Sequence, residues 1–184
     1  GKILRSPHAC ARIVWIDTSR AEALPGVKVV VTGRDVPDLM FSEHQPVMAP
    51  QIVNYIGEEV AAVAAVDLAT AEDALDLIEV EYETPEPVLG LRDALKQDAP
   101  LVHDRAPGNI GPTHAQDFGD PDAAFAASDL IIEDEFRTPV QHNTLAELHV
   151  ALADFSNPKK LHMYTPTQGA PLYKMQLAEV FGLE

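Results

Sequence analysis

One amide stands out among the side chains able to do chemistry. Gln168 closes Thr165-Pro166-Thr167, where the apolar run Leu161 to Tyr164 gives way to a helix-like pattern over Leu172 to Phe181. A glutamine amide offers two N–H donors and one acceptor oxygen. At the tip of a strand it can therefore bond a metal-oxo group or a pterin edge without changing the local charge. The plainer alternative is a turn glutamine bonded to its own backbone. The seven histidines, His8, His44, His103, His114, His142, His149 and His162, include no helical H-x-x-x-H pair and no His/Cys pair at zinc spacing. His142 and His149 bracket Glu147, and Glu147 shares a strand face with His149, so a facial His/carboxylate metal site competes with a half-buried strand whose polar groups are satisfied by loops. Glu79, Glu81 and Glu83 alternate along one face and read as solvated, because nothing beside them would split their pKa values into acid and base. Cys10 lies between two alanines without an activating base and reads as a small core residue. No G-x-S-x-G, G-x-G-x-x-G or phosphate loop is present. Gly108, Gly111 and Gly119 read as turns, and Glu133-Asp134-Glu135 as solvated acids at a strand end.

The elements that would carry these residues fall into two sets. Ala11 to Ile16 predicts a strand, Asp17-Thr18-Ser19 the cap of a brief helix through Leu24, and Pro25-Gly26 a turn into a strand over Val27 to Thr32. Glu59 to Val66 is a continuous Ala/Val run, as in a strand buried on both faces. Thr70-Ala71-Glu72-Asp73 has capping-box spacing, and Ala71, Ala74, Leu75 and Ile78 form an amphipathic stripe. That helix feeds an edge or half-exposed strand over Ile78 to Glu83, which Pro85 and Pro87 end. Leu91 to Gly119 lacks periodicity and predicts a surface connector. Beyond it the pattern predicts a helix over Pro121 to Ala127 and strands over Leu130 to Arg137, Leu145 to Phe155 and Lys160 to Thr165. A Ser156-Asn157-Pro158 turn joins the last two, and a closing helix carries Tyr173, Leu177, Val180 and Phe181. The fold class is α+β, in two pieces spanning 1–104 and 105–184.

Composition narrows the function classes. A net charge of −16 opposes nucleic acid, since counterions are displaced from phosphate by lysine and arginine. A single cysteine excludes an internal disulfide framework and any cysteine-ligated iron–sulfur cluster carried by this chain, and suits a reducing, cytoplasmic compartment. No apolar run approaches a membrane span. The chain opens on Gly1 with strand-like residues under way and stops at Glu184 on a helix terminus, as a piece of something larger would.

In order and spacing, Arg5-Ser6-Pro7-His8-Ala9, Ala11-Arg12-Ile13, Ile16-Asp17, Pro25-Gly26-Val27, Thr32-Gly33, Asp35-Val36-Pro37, Gly57-Glu58-Glu59-Val60-Ala61, Val80-Glu81-Tyr82-Glu83 and Val102-His103 resemble one known arrangement. It is the N-terminal α/β-hammerhead domain of the large subunit of the molybdenum hydroxylases, the xanthine oxidase, aldehyde oxidase and carbon monoxide dehydrogenase family. Gly119-Asp120, Leu130 to Arg137 and Thr165-Pro166-Thr167-Gln168 resemble the first, truncated part of that family's molybdenum-cofactor domain. The opening is closer to the carbon monoxide dehydrogenase and aromatic-hydroxylase branch than to animal xanthine dehydrogenases. The family pattern H-x-x-[LM]-E is one residue longer here, from His142 to Glu147, an excess that a bulge would absorb. Thr165-Pro166 replaces a more usual serine-rich approach.

The resemblance implies that Gln168 binds the molybdenum–molybdopterin cofactor, donating to an oxo ligand. It implies a parent oxidoreductase that hydroxylates a carbon centre of an aldehyde, purine or N-heteroaromatic with water as oxygen source, or oxidises carbon monoxide. Iron–sulfur and FAD centres would sit on partner domains or subunits of an oligomer. The family's glycine-rich loop and catalytic glutamate follow later in its sequences, so the resemblance implies no catalytic residue within 1–184 and no activity of this piece alone. A different reading is a non-catalytic subunit-docking module without cofactor.

Overall fold

The computed structural model describes residues 1–36, 39–42 and 45–183, so Pro37 of the hammerhead-like pattern and His44 lie outside the described residues. The chain divides into two units, Gly1–Pro112 and Thr113–Glu184.

The first unit is organised by β7 (Glu59–Ala65), the Ala/Val run. It lies between β1 (Lys2–Arg5) and β3 (Val27–Thr32), antiparallel to both, with Ala62 opposite Ile3 on one side and Val31 on the other. Small and β-branched side chains suit this place because both faces are covered. Ala61 and Val63 pack toward α1 (Ser19–Glu22) and α2 (Leu68–Leu75), joining Ala21, Ala71, Ala74 and Ile78 in one core. Val60 faces the other way and joins Ala11, Ile13, Ala49 and Val53 in a second. That second core belongs to a sheet of order β6-β2-β8, where β6 is Ile52–Val53, β2 is Ala11–Asp17 and β8 is Glu79–Glu83. Between β3 and β6 in chain order comes a short antiparallel pair, β4 (Met40–Ser42) with β5 (Gln45–Pro46).

Strand β8 is an edge, as its composition predicts, with Val80 and Tyr82 half-buried and the three glutamates exposed. Two of those glutamates are paired as well as solvated: Glu83 with Arg12, and Glu79 with Arg20 at 2.8 Å. Gly26, with φ +100°, makes the turn into β3. Helix α2 starts earlier than the capping-box spacing at Thr70 suggests. Asp67, in an extended conformation, is the N-cap and its carboxylate accepts the Thr70 N–H at 2.8 Å, so Thr70 sits inside the first turn. The connector after β8 is folded rather than plain. It holds α3 (Leu91–Ala94) and a single 3-10 turn (Pro107–Asn109), drawn together by Asn109. The Asn109 amide donates to the carbonyls of Ala94 (3.0 Å) and Pro100 (2.9 Å), and its oxygen accepts the Val102 N–H at 2.7 Å. Asn109 adopts φ +57°, a conformation that asparagine tolerates better than most residues.

The second unit holds α4 (Pro121–Ala126), the antiparallel hairpin β9 (Leu152–Asn157) and β10 (Lys160–Tyr164), and α5 (Ala170–Phe181). Asp120 caps α4 through the Ala123 N–H, 2.9 Å. The hairpin turn is Pro158-Lys159, one residue beyond the expected position. The strand expected over Leu130–Arg137 does not form, and the one expected over Leu145–Phe155 begins only at Leu152, as β9: residues 130–151 carry no helix or strand and are exposed throughout. A strand is stabilised by its ladder partner, and none of the described residues supplies one to this segment. Its alternating apolar side chains, among them Ile132, Phe136 and Leu148, are therefore uncovered.

Candidate functional site

Three devices hold the approach to Gln168. The β9–β10 register sets Tyr164 opposite Leu152. One residue on, the Thr165 hydroxyl donates to the Val150 carbonyl at 3.0 Å, extending the clasp past the last rung. Thr167 Oγ1 then accepts the Gly169 N–H at 3.1 Å, which shapes the bend at Gln168 and leads into the N-cap of α5. The far end of α5 returns to the hairpin, where the rings of Phe155 and Phe181 lie 5.9 Å apart. The helix stops at Gly182, whose φ of +61° lets the Leu183 N–H reach the Ala178 carbonyl at 2.8 Å.

Gln168 itself is exposed, and its amide makes no hydrogen bond among the described residues. The local turn is closed by the Thr167 hydroxyl, so the role of a turn glutamine bonded to its own backbone is already filled. Gly169 provides no side-chain cap, and Pro171 occupies the first turn of α5, where it has no N–H to satisfy. A free neutral amide beside uncapped main-chain donors is a donor set suited to an oxyanion-bearing or oxo-bearing group.

The alternative metal site is not assembled. His142, Glu147 and His149 are exposed within the irregular 130–151 segment, and no three His, Cys, Asp or Glu residues converge among the described residues. Cys10 is partly buried and lines a cavity of about 840 Å³ inside the first unit, a feature sequence reading missed. Arg12, Asn54, Glu86 and His103 also line it. One wall is Pro100 to Arg105, which Asn109 folds back. A lone asparagine at the end of a Pro/Gly-rich stretch was the available signal for that wall.

Comparison with known proteins places both units. Residues 1–86 match the family model for the aldehyde oxidase and xanthine dehydrogenase a/b hammerhead domain, and residues 102–184 match that for the molybdopterin cofactor-binding domain. The chain belongs to the molybdenum hydroxylase family. Among members of that family it is 37% identical to a probable xanthine dehydrogenase subunit of Bacillus subtilis (strain 168), over 100% of this chain and 25% of the relative. It is 32% identical to the nicotine 6-hydroxylase large subunit of Paenarthrobacter nicotinovorans, over 98% of this chain and 24% of the relative. The reconstituted CO dehydrogenase from Oligotropha carboxidovorans superposes with a TM-score of 0.85 at 31% identity, covering 100% of this chain and 25% of that one. The chain thus spans about a quarter of the length of these molybdenum hydroxylase relatives. Among the described residues no helix is long and apolar enough to cross a membrane.

Proposed function

We propose that these residues are the N-terminal part of the molybdopterin-binding subunit of a molybdenum hydroxylase, with a hammerhead domain over 1–104 and the start of the cofactor domain over 105–184. The observation that carries the reading is the unpartnered Gln168 amide, held between β10 and α5 within the stretch matched by the molybdopterin cofactor-binding domain. Gln168 is the residue of this chain that holds the group, as a neutral donor that leaves the charge at the metal unchanged. When bound, the molybdenum–molybdopterin group supplies two-electron oxidation at a carbon centre. What this chain contributes is position: the Thr165 and Thr167 hydroxyls fix the bend, and α5 fixes the end of the hairpin.

The whole protein then hydroxylates an aldehyde, purine or N-heteroaromatic with water, or oxidises carbon monoxide. The spread among the relatives' names, from xanthine to nicotine to CO, keeps these substrate classes together. Iron–sulfur and FAD centres would be carried by partner subunits or domains of a cytoplasmic oligomer and would supply the electron acceptors, in line with a single cysteine here. Residues 1–184 alone are inactive.

The test begins with molybdenum and pterin content of the full-length parent from its native host. About one of each per chain is expected, whereas a folded parent containing neither would overturn the reading. In that parent Gln168→Ala should lower kcat by roughly 10²-fold, the scale of one lost transition-state donor, with pterin still bound. Unchanged kcat would remove Gln168 from the site while leaving the family assignment intact.

A further inference from the structure

Glu58 plays no part in the chemistry above, yet it is among the most deeply buried side chains described, 1% exposed. It also belongs to the Gly57-Glu58-Glu59-Val60-Ala61 motif that the proposed function leaves unused. A buried carboxylate needs a cation or several hydrogen bonds, or it holds its proton. No cationic side chain pairs with Glu58 among the described residues. The nearby Arg5 guanidinium is engaged elsewhere, donating to the Gly57 carbonyl at 2.7 Å and to the Glu59 carboxylate at 2.6 Å. The Glu58 carboxylate instead accepts the backbone N–H of Asn54, at the start of the turn that precedes it, and lies near the Tyr55 N–H.

That turn is stapled to the end of β1. The Gly57 N–H donates to the Ser6 carbonyl and the Ser6 N–H to the Glu58 carbonyl, both at 2.8 Å, with Gly57 at φ +92°. The ionisable groups facing Glu58 are Arg5 from β1, Tyr55 from the turn and Glu59 from β7. Tyr55 is tied to the Gln45 amide at 3.1 Å. Asn54, at the start of the turn, lines the 840 Å³ cavity.

We propose that Glu58 is a proton-operated latch on the 54–57 turn: protonated, it holds the turn closed against β1 and completes the cavity edge at Asn54, and ionised, it favours opening. Burial pushes the Glu58 carboxyl above the ordinary glutamate range, more than the Asn54 and Tyr55 N–H groups pull it down, and Glu59 pushes it the same way as burial. The closed turn therefore binds the proton more tightly than the open one. Closure is fully present below the ordinary glutamate pKa of about 4.3 and is lost as pH rises through the raised value.

The test is amide hydrogen exchange and 15N–1H spectra of the 184-residue chain between about pH 4 and about pH 8, with Glu58→Gln in parallel. After correction for intrinsic exchange, protection at Asn54 and Gly57 should fall with pH, approaching tenfold per pH unit inside the window. In Glu58→Gln, which keeps an acceptor oxygen but cannot ionise, protection should be flat. A flat wild-type profile, or the same slope in Glu58→Gln, would overturn the latch. Should Glu58→Gln not fold, the Asn54 amide shift of the wild type decides alone: a midpoint above the ordinary value supports the latch, and one at or below it refutes it.

Discussion

Asn109 offers the sharpest test of how this chain builds its cavity wall. Replacing it with alanine removes three side-chain hydrogen bonds, to Ala94, Pro100 and Val102, from a residue held at φ +57°. Each bond is worth about 0.5–1.5 kcal/mol net, and water can replace part of that at these half-exposed carbonyls, so the three together contribute about 1–3 kcal/mol. Alanine at this φ adds about 1 kcal/mol of steric cost. Asn109→Ala should thus destabilise the 94–109 segment by about 2–4 kcal/mol. Asn109→Gly loses the same bonds without the steric term and should be milder by up to about 1 kcal/mol, its backbone entropy narrowing that gap. Because the chain has two units, the readout is residue-resolved hydrogen exchange at Val102 and Ala106, whose N–H groups bond to Asn109 and to the His103 carbonyl (2.9 Å), rather than a single global midpoint. Protection there should drop by more than tenfold in the alanine variant, while Val63 in the core is unaffected. If Val102 keeps its protection, or if glycine proves more damaging than alanine, the clasp reasoning fails.

Two further expectations rest on the first unit. A Cβ at Gly33 would lie 2.0 Å from the Ala49 carbonyl oxygen, so Gly33→Ala must push apart two backbones beside a buried residue. A loss of about 1–3 kcal/mol or more by thermal melting of the 184-residue chain is expected, and an unshifted Tm would show that the approach is looser than described. The Asp35 carboxyl is held below its usual range by the Thr32 N–H (2.7 Å) and the Thr32 hydroxyl (2.8 Å). Its stabilisation is therefore present above the unfolded value of about 3.9 and fades as pH falls through the depressed one. Asp35→Asn should flatten that acid limb, which urea titrations at stepped acidic pH would reveal.

What the sequence disclosed depends on where each element's partners lie. Strands β2, β3, β7 and β8 were legible because period-two patterning or a continuous Ala/Val run meets its covering layer within the same unit. The start of α2 was not, since Thr70 and Asp67 both carry cap chemistry and only the extended backbone at Asp67 decides between them. Leu130 to Arg137 has the alternation of a strand and forms none, because alternation specifies which face is apolar and cannot supply the neighbouring ladder. The same limit applies to the site. Gln168 was visible as the one amide at a strand-to-helix turn, but that its amide is unpartnered follows from Thr167 and Gly169 closing the bend without it. The spacing of His142, Glu147 and His149 suggested a metal site only on the assumption of a strand. Without that strand their shared face disappears, and with it the reason to group them. Glu58 enters the sequence reading only within the Gly57-Glu58-Glu59-Val60-Ala61 pattern, and nothing in two adjacent glutamates says which of them is buried. Only the packing shows that Arg5 takes Glu59 and leaves its neighbour buried without a cation. In this chain, then, patterning predicts elements whose covering layer lies within the same unit, and it misleads where no described residue supplies that layer or where two like charges have unlike surroundings.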